Sequence, residues 1–228
     1  MTAAAAAAKP ARRTQADRRA HTRSALLAAA ARGLSRYGYS NLALEKVAAE
    51  AGYTRGALYH LFASKEDLAL AVVEWVRETW YAEVGWRLSD ATDPVSTLIA
   101  VARGHAVLCR DDIARVMMTL RVEFSGQDHP VGRKIDEVGR QLVTDCARLI
   151  AAGRRSGTIP AGPPVRVMAR AYLGAIEGLV INLAGQAPFD AVLAERAVRG
   201  LLGLPPAPTG GLVSPNSSDG PGCVLTDR

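Results

Sequence analysis

Apolar residues recur with helical period over most of the chain. Leu27, Ala30, Ala31 and Leu34 share one helix face, Arg19, Arg23, Arg32 and Arg36 lie mostly elsewhere, and Gly38 is placed to end the segment. A short helix follows from about Leu44 to Ala51, with Leu44, Val47, Ala48 and Ala51 at i, i+3, i+4, i+7; Ser40 and Asn41 are the nearby capping types, and Gly52 supplies a left-handed exit. Thr54 then caps a third helix to about Leu61, and Ser64 caps a fourth, with Glu66 and Asp67 in its first turn, running through Trp75 towards Trp86. Beyond Pro94 the periodicity predicts helices near 95–109, 112–124, 131–154, 164–185 and 189–202, with breaks at Gly126, Gly157 to Pro164 and Pro188. No stretch alternates as a strand would, so the expectation is an all-α protein of about nine helices.

Charge divides this series. Residues 1–62 hold ten Lys or Arg against three Asp or Glu, while the rest holds eighteen against nineteen, so the whole net charge of +6 resides in the first quarter. Such segregation suggests a module that meets a polyanion, joined to a neutral body with another task. Both ends look disordered: a basic arm over 1–17, and a Pro, Gly and Ser-rich tail over 205–228 that cannot bury enough apolar surface to offset its ordering entropy.

The 228 residues are 49% hydrophobic but only 5% aromatic, a balance that favours close-packed helices. Three cysteines, Cys109, Cys146 and Cys223, with no C-x-x-C, give neither a disulfide framework nor a zinc ribbon, and suit a reducing cytoplasm. No apolar run approaches the roughly 18 to 20 residues a membrane span needs. The N-terminal charges follow its alanines, the reverse of a secretory leader.

Two short helices around Ala51-Gly52-Tyr53-Thr54 have the lengths and turn of a helix-turn-helix, at about 42–61. Such a unit lays its second helix in the major groove of double-stranded DNA. Val47, Ala48, Leu58 and Phe62 are its inward anchors; Thr54, Arg55, Ala57, Tyr59 and His60 face outward. Arg55 can bond a guanine edge or a phosphate, Ala57 can touch a thymine methyl, and Gly56 lets backbones approach, unless it serves only helix packing.

Residues 20–70 run as an apolar helix, then Val47-Ala48-x-x-Ala51-Gly52, then Thr54-Arg55-Gly56-x-Leu58-Tyr59, then Phe62, Lys65 and Leu68. In this pattern the chain resembles the TetR family of bacterial transcriptional regulators. The resemblance implies a three-helix DNA-binding domain (18–64) and a helical domain for ligand binding and dimerisation (65–204). It also implies a cytoplasmic, nucleoid-associated repressor released from a pseudo-palindromic operator by a small-molecule effector. Carried over by position, Thr54 and Tyr59 contact phosphates, Arg55, Ala57 and His60 approach bases, and Lys65 clamps the backbone. Ala43 stands where the family often has threonine, so that contact passes to Ser40 or Asn41 or is lost; His60 lies one residue earlier than the family's usual histidine. A helical adaptor that keeps the helix-turn-helix as scaffold is the alternative.

The homodimer would form through the last two helices, about 164–202, on apolar residues such as Val165, Met168, Leu173, Ile176, Leu179 and Val180, with Gly174 and Gly178 allowing close approach. For the effector pocket the candidates are His105, Met117, Arg121, Phe124, Tyr172 and Glu177, with Trp80, Trp86, Cys109, Met118 and Asn182 behind them. Arg121 can pair with Glu177 or with an acidic ligand. His105 and Cys109 stand at i, i+4, but two ligands do not make a metal site. Nothing matches a zinc-protease, serine-hydrolase or P-loop motif, so the expectation is no catalytic residue, no metal and no cofactor.

Overall fold

A computed structural model describes residues 14–89, 92–111 and 115–207. These form nine α-helices: α1 (Gln15–Tyr37), α2 (Leu44–Glu50), α3 (Arg55–Tyr59), α4 (Lys65–Glu83), α5 (Pro94–Leu108), α6 (Val116–Glu123), α7 (Pro130–Arg155), α8 (Val165–Leu183) and α9 (Phe189–Leu201). Among the described residues there is no strand, and no helix is long and apolar enough to cross a membrane. Most of the expected arm, the tail from residue 208 and Cys223 lie outside these residues.

Local chemistry accounts for most of the boundaries. Thr14 and Asp17 form a reciprocal capping box that opens α1 inside the expected arm. Gly38 ends α1 at φ 74, ψ −179, a region open essentially to glycine alone. Thr54 and Ser64 cap α3 and α4 through Ala57 N–H and Asp67 N–H. Three expectations fail. The residue at the cap of α2 is Ala43, with no side-chain bond, while Ser40 and Asn41 turn elsewhere. Helix α3 stops two residues early, because the chain must leave it to bury Phe62 and reach the Ser64 cap. And α4 ends at Glu83, before a 3-10 turn at Gly85–Leu88, where Gly85 lies so tightly on Trp80 that an added Cβ would come within 2.4 Å of the ring.

Two apolar cores organise the helices. One is built from α1, α2, α3 and the first half of α4, and it continues without a break into Val116, Leu120 and Phe124 at α6 and Val131 and Ile135 on α7. The other gathers Leu98, Val101 and Ala102 on α5, Leu149 and Ile150 on α7, Tyr172 and Ile176 on α8, and Val198 on α9. The head formed by α1–α3 is thus sealed against the body by α6 and the start of α7.

Candidate functional site

The head presents α3 on a buried platform. Val47, Ala48, Leu58 and Phe62 are all buried, and Gly52 makes the turn at φ 77 while Tyr53 N–H reaches back to Ala48 O at 2.9 Å. Thr54, Arg55, Gly56, Tyr59 and His60 are consequently exposed, with Ala57 half-buried. A Cβ on Gly56 would meet nothing nearer than Thr54 Oγ1 at 3.8 Å, so no packing within the chain requires glycine there. Tyr59 is 42% exposed and touches Arg55, whose guanidinium lies 5.3 Å from its ring centre. Arg55 also holds Glu45 on α2 at 2.7 Å, with both side chains solvated. This is a solvent-facing row of a cation, a phenol and an imidazole on a rigid support.

Three other residues of the expected interface have internal partners. Ser40 directs both its backbone N–H and its hydroxyl to Glu123 Oε1, at 2.7 and 2.6 Å, and Tyr39 N–H donates to Glu123 Oε2 at 2.5 Å. Lys65 Nζ donates to Ser40 O at 2.9 Å and lies 4.8 Å above the Tyr39 ring. Asn41 donates to Tyr37 O at 3.1 Å. Desolvation pushes the Glu123 carboxyl up, but the bonds from Ser40 and Tyr39, with Lys65 nearby, outweigh it and hold the group below its ordinary pKa. The head is therefore gripped, at the α1–α2 turn, by the end of α6.

The opposite side of α6 faces a cavity of about 190 Å³ enclosed by α4, α5, α7 and α8. Met117, Met118 and Arg121 from α6 line it, with Trp80, His105 and Glu177. Trp80 Nε1–H donates to His105 Nδ1 at 3.1 Å, which leaves the proton of the neutral imidazole on Nε2, facing Cys109 Sγ at 3.6 Å. Burial pushes His105 down to about 4 and Cys109 up to about 12, so both are neutral at pH 7. Arg121 holds both oxygens of Glu177, at 2.8 and 2.6 Å, and so takes the protein partner of its two open alternatives.

His105, Met117, Arg121 and Glu177 thus meet at one cavity, together with Trp80 and Met118. Phe124 and Tyr172 do not. Phe124 stacks on His129 with ring centres 4.3 Å apart at the head–body seam, and Tyr172 is fully buried in the second core, its hydroxyl donating to Leu98 O at 2.7 Å. Trp86 and Asn182 face solvent, and Cys109 is buried behind His105. Trp75, Leu108 and Leu142 line the cavity too, but their positions read only as generic core. Among the described residues no three His, Cys, Asp or Glu gather as a metal site.

Helices α8 and α9 carry an apolar outer face, though not the expected one. Met168, Ile176 and Val180 belong to the second core, whereas Val167 (53%), Ile181 (66%) and Phe189 (52%) are exposed. Gly174 and Gly178 have open space where a Cβ would stand, so the surface beside Val167 and Ile181 is low enough for another backbone to approach.

Residues 26–72 match the family described as bacterial regulatory proteins, tetR family. The chain is 44% identical over 69 residues to the HTH-type transcriptional regulator CymR of Pseudomonas putida, covering 30% of this chain and 34% of that protein. It is 33% identical over 128 residues to the A-factor receptor protein of Streptomyces griseus, covering 55% and 44%. These alignments span less than half the length of either relative. Among solved structures, AibR in complex with isovaleryl coenzyme A and operator DNA superposes with a TM-score of 0.68 at 22% identity, covering 79% of this chain and 98% of that one. FadR from Bacillus subtilis, in complex with stearoyl-CoA, gives 0.66 at 20% identity, covering 78% and 97%. Residues 26–72 thus match the tetR family in sequence, and the described helices share the fold of AibR and FadR.

Proposed function

We propose that the protein is a sequence-specific transcriptional regulator, a homodimeric repressor that leaves a pseudo-palindromic operator when a small molecule fills the cavity beneath α6. The observation that carries this reading is the position of α6. Met117, Met118 and Arg121 line the cavity, Leu120 and Phe124 belong to the core of the head, and Glu123 grips the α1–α2 turn. A ligand that displaces α6 therefore displaces the head and re-aims α3 against its half-site. Two proteins of the same fold were solved with coenzyme A thioesters, one of them together with operator DNA, which supports both halves of the reading.

On DNA, Arg55 and His60 are the readers of base edges, with Ala57 able to meet a thymine methyl and Gly56 giving the backbone clearance. Thr54, Tyr59 and Lys65 are the phosphate donors, with Ser40 and Asn41 at the margin. Arg55 exchanges Glu45 for its DNA partner. The dimer forms on the exposed face of α8 and α9 around Val167, Gly178 and Ile181, giving half-sites about one turn, or a multiple of it, apart. The protein acts in the cytoplasm, at the nucleoid, and is not an enzyme. With the start of α1 moved to Gln15, residues before its Thr14 cap then serve as a basic arm, 14–64 as the DNA-binding domain, 65–204 as the sensing and dimerising domain, and 205–228 as a tail.

The test is selection of random duplex DNA on the full-length protein at near-physiological salt, beside an Arg55→Ala, Tyr59→Phe double variant. Wild type should recover a two-fold symmetric sequence and the variant should not, with each lost base contact costing about 1 to 3 kcal/mol. Unenriched pools from both proteins would sink the regulator reading in favour of an adaptor that keeps the fold as scaffold.

A further inference from the structure

Beside the cavity under α6, and sharing Arg121, Leu142 and Glu177 with it, lies a second, more open cleft of about 310 Å³ between α7 and α8. Its lining is basic. Arg166, Arg170, Leu173 and Glu177 follow one another at i, i+4, i+7 and i+11, which puts them on one stripe of α8, and Arg140 faces them from α7 with Asp136. Elsewhere in the body, Arg77, Arg103, Arg110 and Arg199 each hold a carboxylate at 2.5–2.8 Å. Among the described residues Arg140, Arg166 and Arg170 hold none; Arg87, Arg154, Arg155 and Arg196 hold none either, but the first three share one cleft. Three uncommitted guanidiniums thus face one carboxylate, Asp136, at the mouth of a cavity walled by Trp75, Trp80, Met117 and Met118.

Resting on the regulator reading above, we propose that the effector is a small amphipathic acid, whose apolar body fills the inner cavity and whose carboxylate or single phosphate lies among Arg140, Arg166 and Arg170. The division follows from desolvation. An anion inside the aromatic and methionine walls would lose its hydration without an uncommitted charge to replace it, because the two arginines lining that cavity, Arg121 and Arg77, are committed to Glu177 and Glu74. In the outer cleft it keeps part of its water and gains forked guanidinium donors that suit a planar or tetrahedral oxyanion. Volume sets the size of both parts. At about 30 Å³ per water-sized group, the inner cavity takes roughly six groups and the outer cleft about ten. That is a short or branched chain, or one ring, with a compact head. The Arg121–Glu177 pair stands where the two volumes meet, so an acid bridging them lies against α6 at Arg121.

Direct binding tests this without DNA, so its failure is separable from failure of the operator selection. Thermal melting of the full-length protein is followed in titrations with straight-chain carboxylates of four to ten carbons, the matching alkyl phosphates, primary alcohols and coenzyme A thioesters. One carboxylate or alkyl phosphate should raise the melting temperature at concentrations at least tenfold below those its alcohol requires, and the two acid series show which head is preferred. Arg166→Ala with Arg170→Ala should weaken acid binding tenfold or more, leave the alcohol titration unchanged, and leave melting without ligand unaltered. Arg196→Ala, exposed on α9 and not part of the cleft lining, should bind acids as wild type does. Equal binding of alcohol and acid, indifference of the double variant, tighter binding of the thioester than of its free acid, or silence across the panel would each overturn the proposal.

Discussion

The α1–α3 head and the helical body of this protein place their candidate functional side chains in opposite ways. In the head, the outward row falls within the seven residues from Thr54 to His60, on one capped helix and its ends, with Leu58 turned inward as its anchor. In the body, the cavity draws on five helices, and its polar contacts join residues far apart in sequence: Trp80 with His105, 25 residues on, and Arg121 with Glu177, 56 residues on. A site made of neighbours is specified by local chemistry, by a cap, a glycine turn and a period. A site made across helices exists only once packing has decided which faces meet.

The sharpest way to break this contrast is to ask whether the two regions are separable. Phe62 is fully buried in the first core, and Phe62→Ala should cost about 3–5 kcal/mol, read from chemical denaturation. Because that core continues into Val116, Leu120 and Ile135, we expect one unfolding transition rather than early loss of the head. A biphasic curve would show that the head stands alone.

The seam between the regions is the next target. Gly38→Ala should cost about 1–3 kcal/mol through its φ 74, ψ −179 backbone, and the new Cβ would also lie 2.6 Å from Glu123 Oε2. Gly52→Ala, at φ 77 with open space around it, should cost less. Equal denaturation midpoints for the two variants would mean that Glu123 places no demand on Gly38.

The smallest effect is that of acid on the same contact. Glu123 titrates below its ordinary 4.5 in the folded chain, so the unfolded chain takes up its proton first on acidification. The grip therefore contributes fully above about pH 4.5 and is lost as pH falls through the folded pKa. Denaturation midpoints measured against pH should fall less steeply below 4.5 in Glu123→Gln than in wild type, and identical profiles would remove the carboxylate from the account.

Helical period alone brings most helix ends within two residues, because each apolar stripe and its capping residue are local facts. Three kinds of feature escape it. Ser40 and Asn41 have the chemistry of caps, but Ser40 is claimed by Glu123, 83 residues away, and no local pattern reveals a competing partner. Helix α8 is apolar around most of its girth, so its period does not say that Met168, Ile176 and Val180 turn inward while Val167 and Ile181 stay outside. Tyr172 and Phe124 suit a pocket as well as a core, and only packing sends one to Leu98 and the other to His129. The arginines at 140, 166 and 170 look like ordinary solvated charges until α7 and α8 bring them to one cleft.

Helix α6 has only eight residues, about 12 Å of rise, yet it borders the cavity on one side and holds the head on the other. On the proposed function, such a connection cannot be one-way. If a ligand weakens the hold on an operator by some factor, the operator must weaken the hold on that ligand by the same factor. Molecules seated at promoters would then be the last in the cell to respond, and free ones the first. The concentration at which genes open would depend on how many operators the protein must leave, as well as on the shape of its cavity.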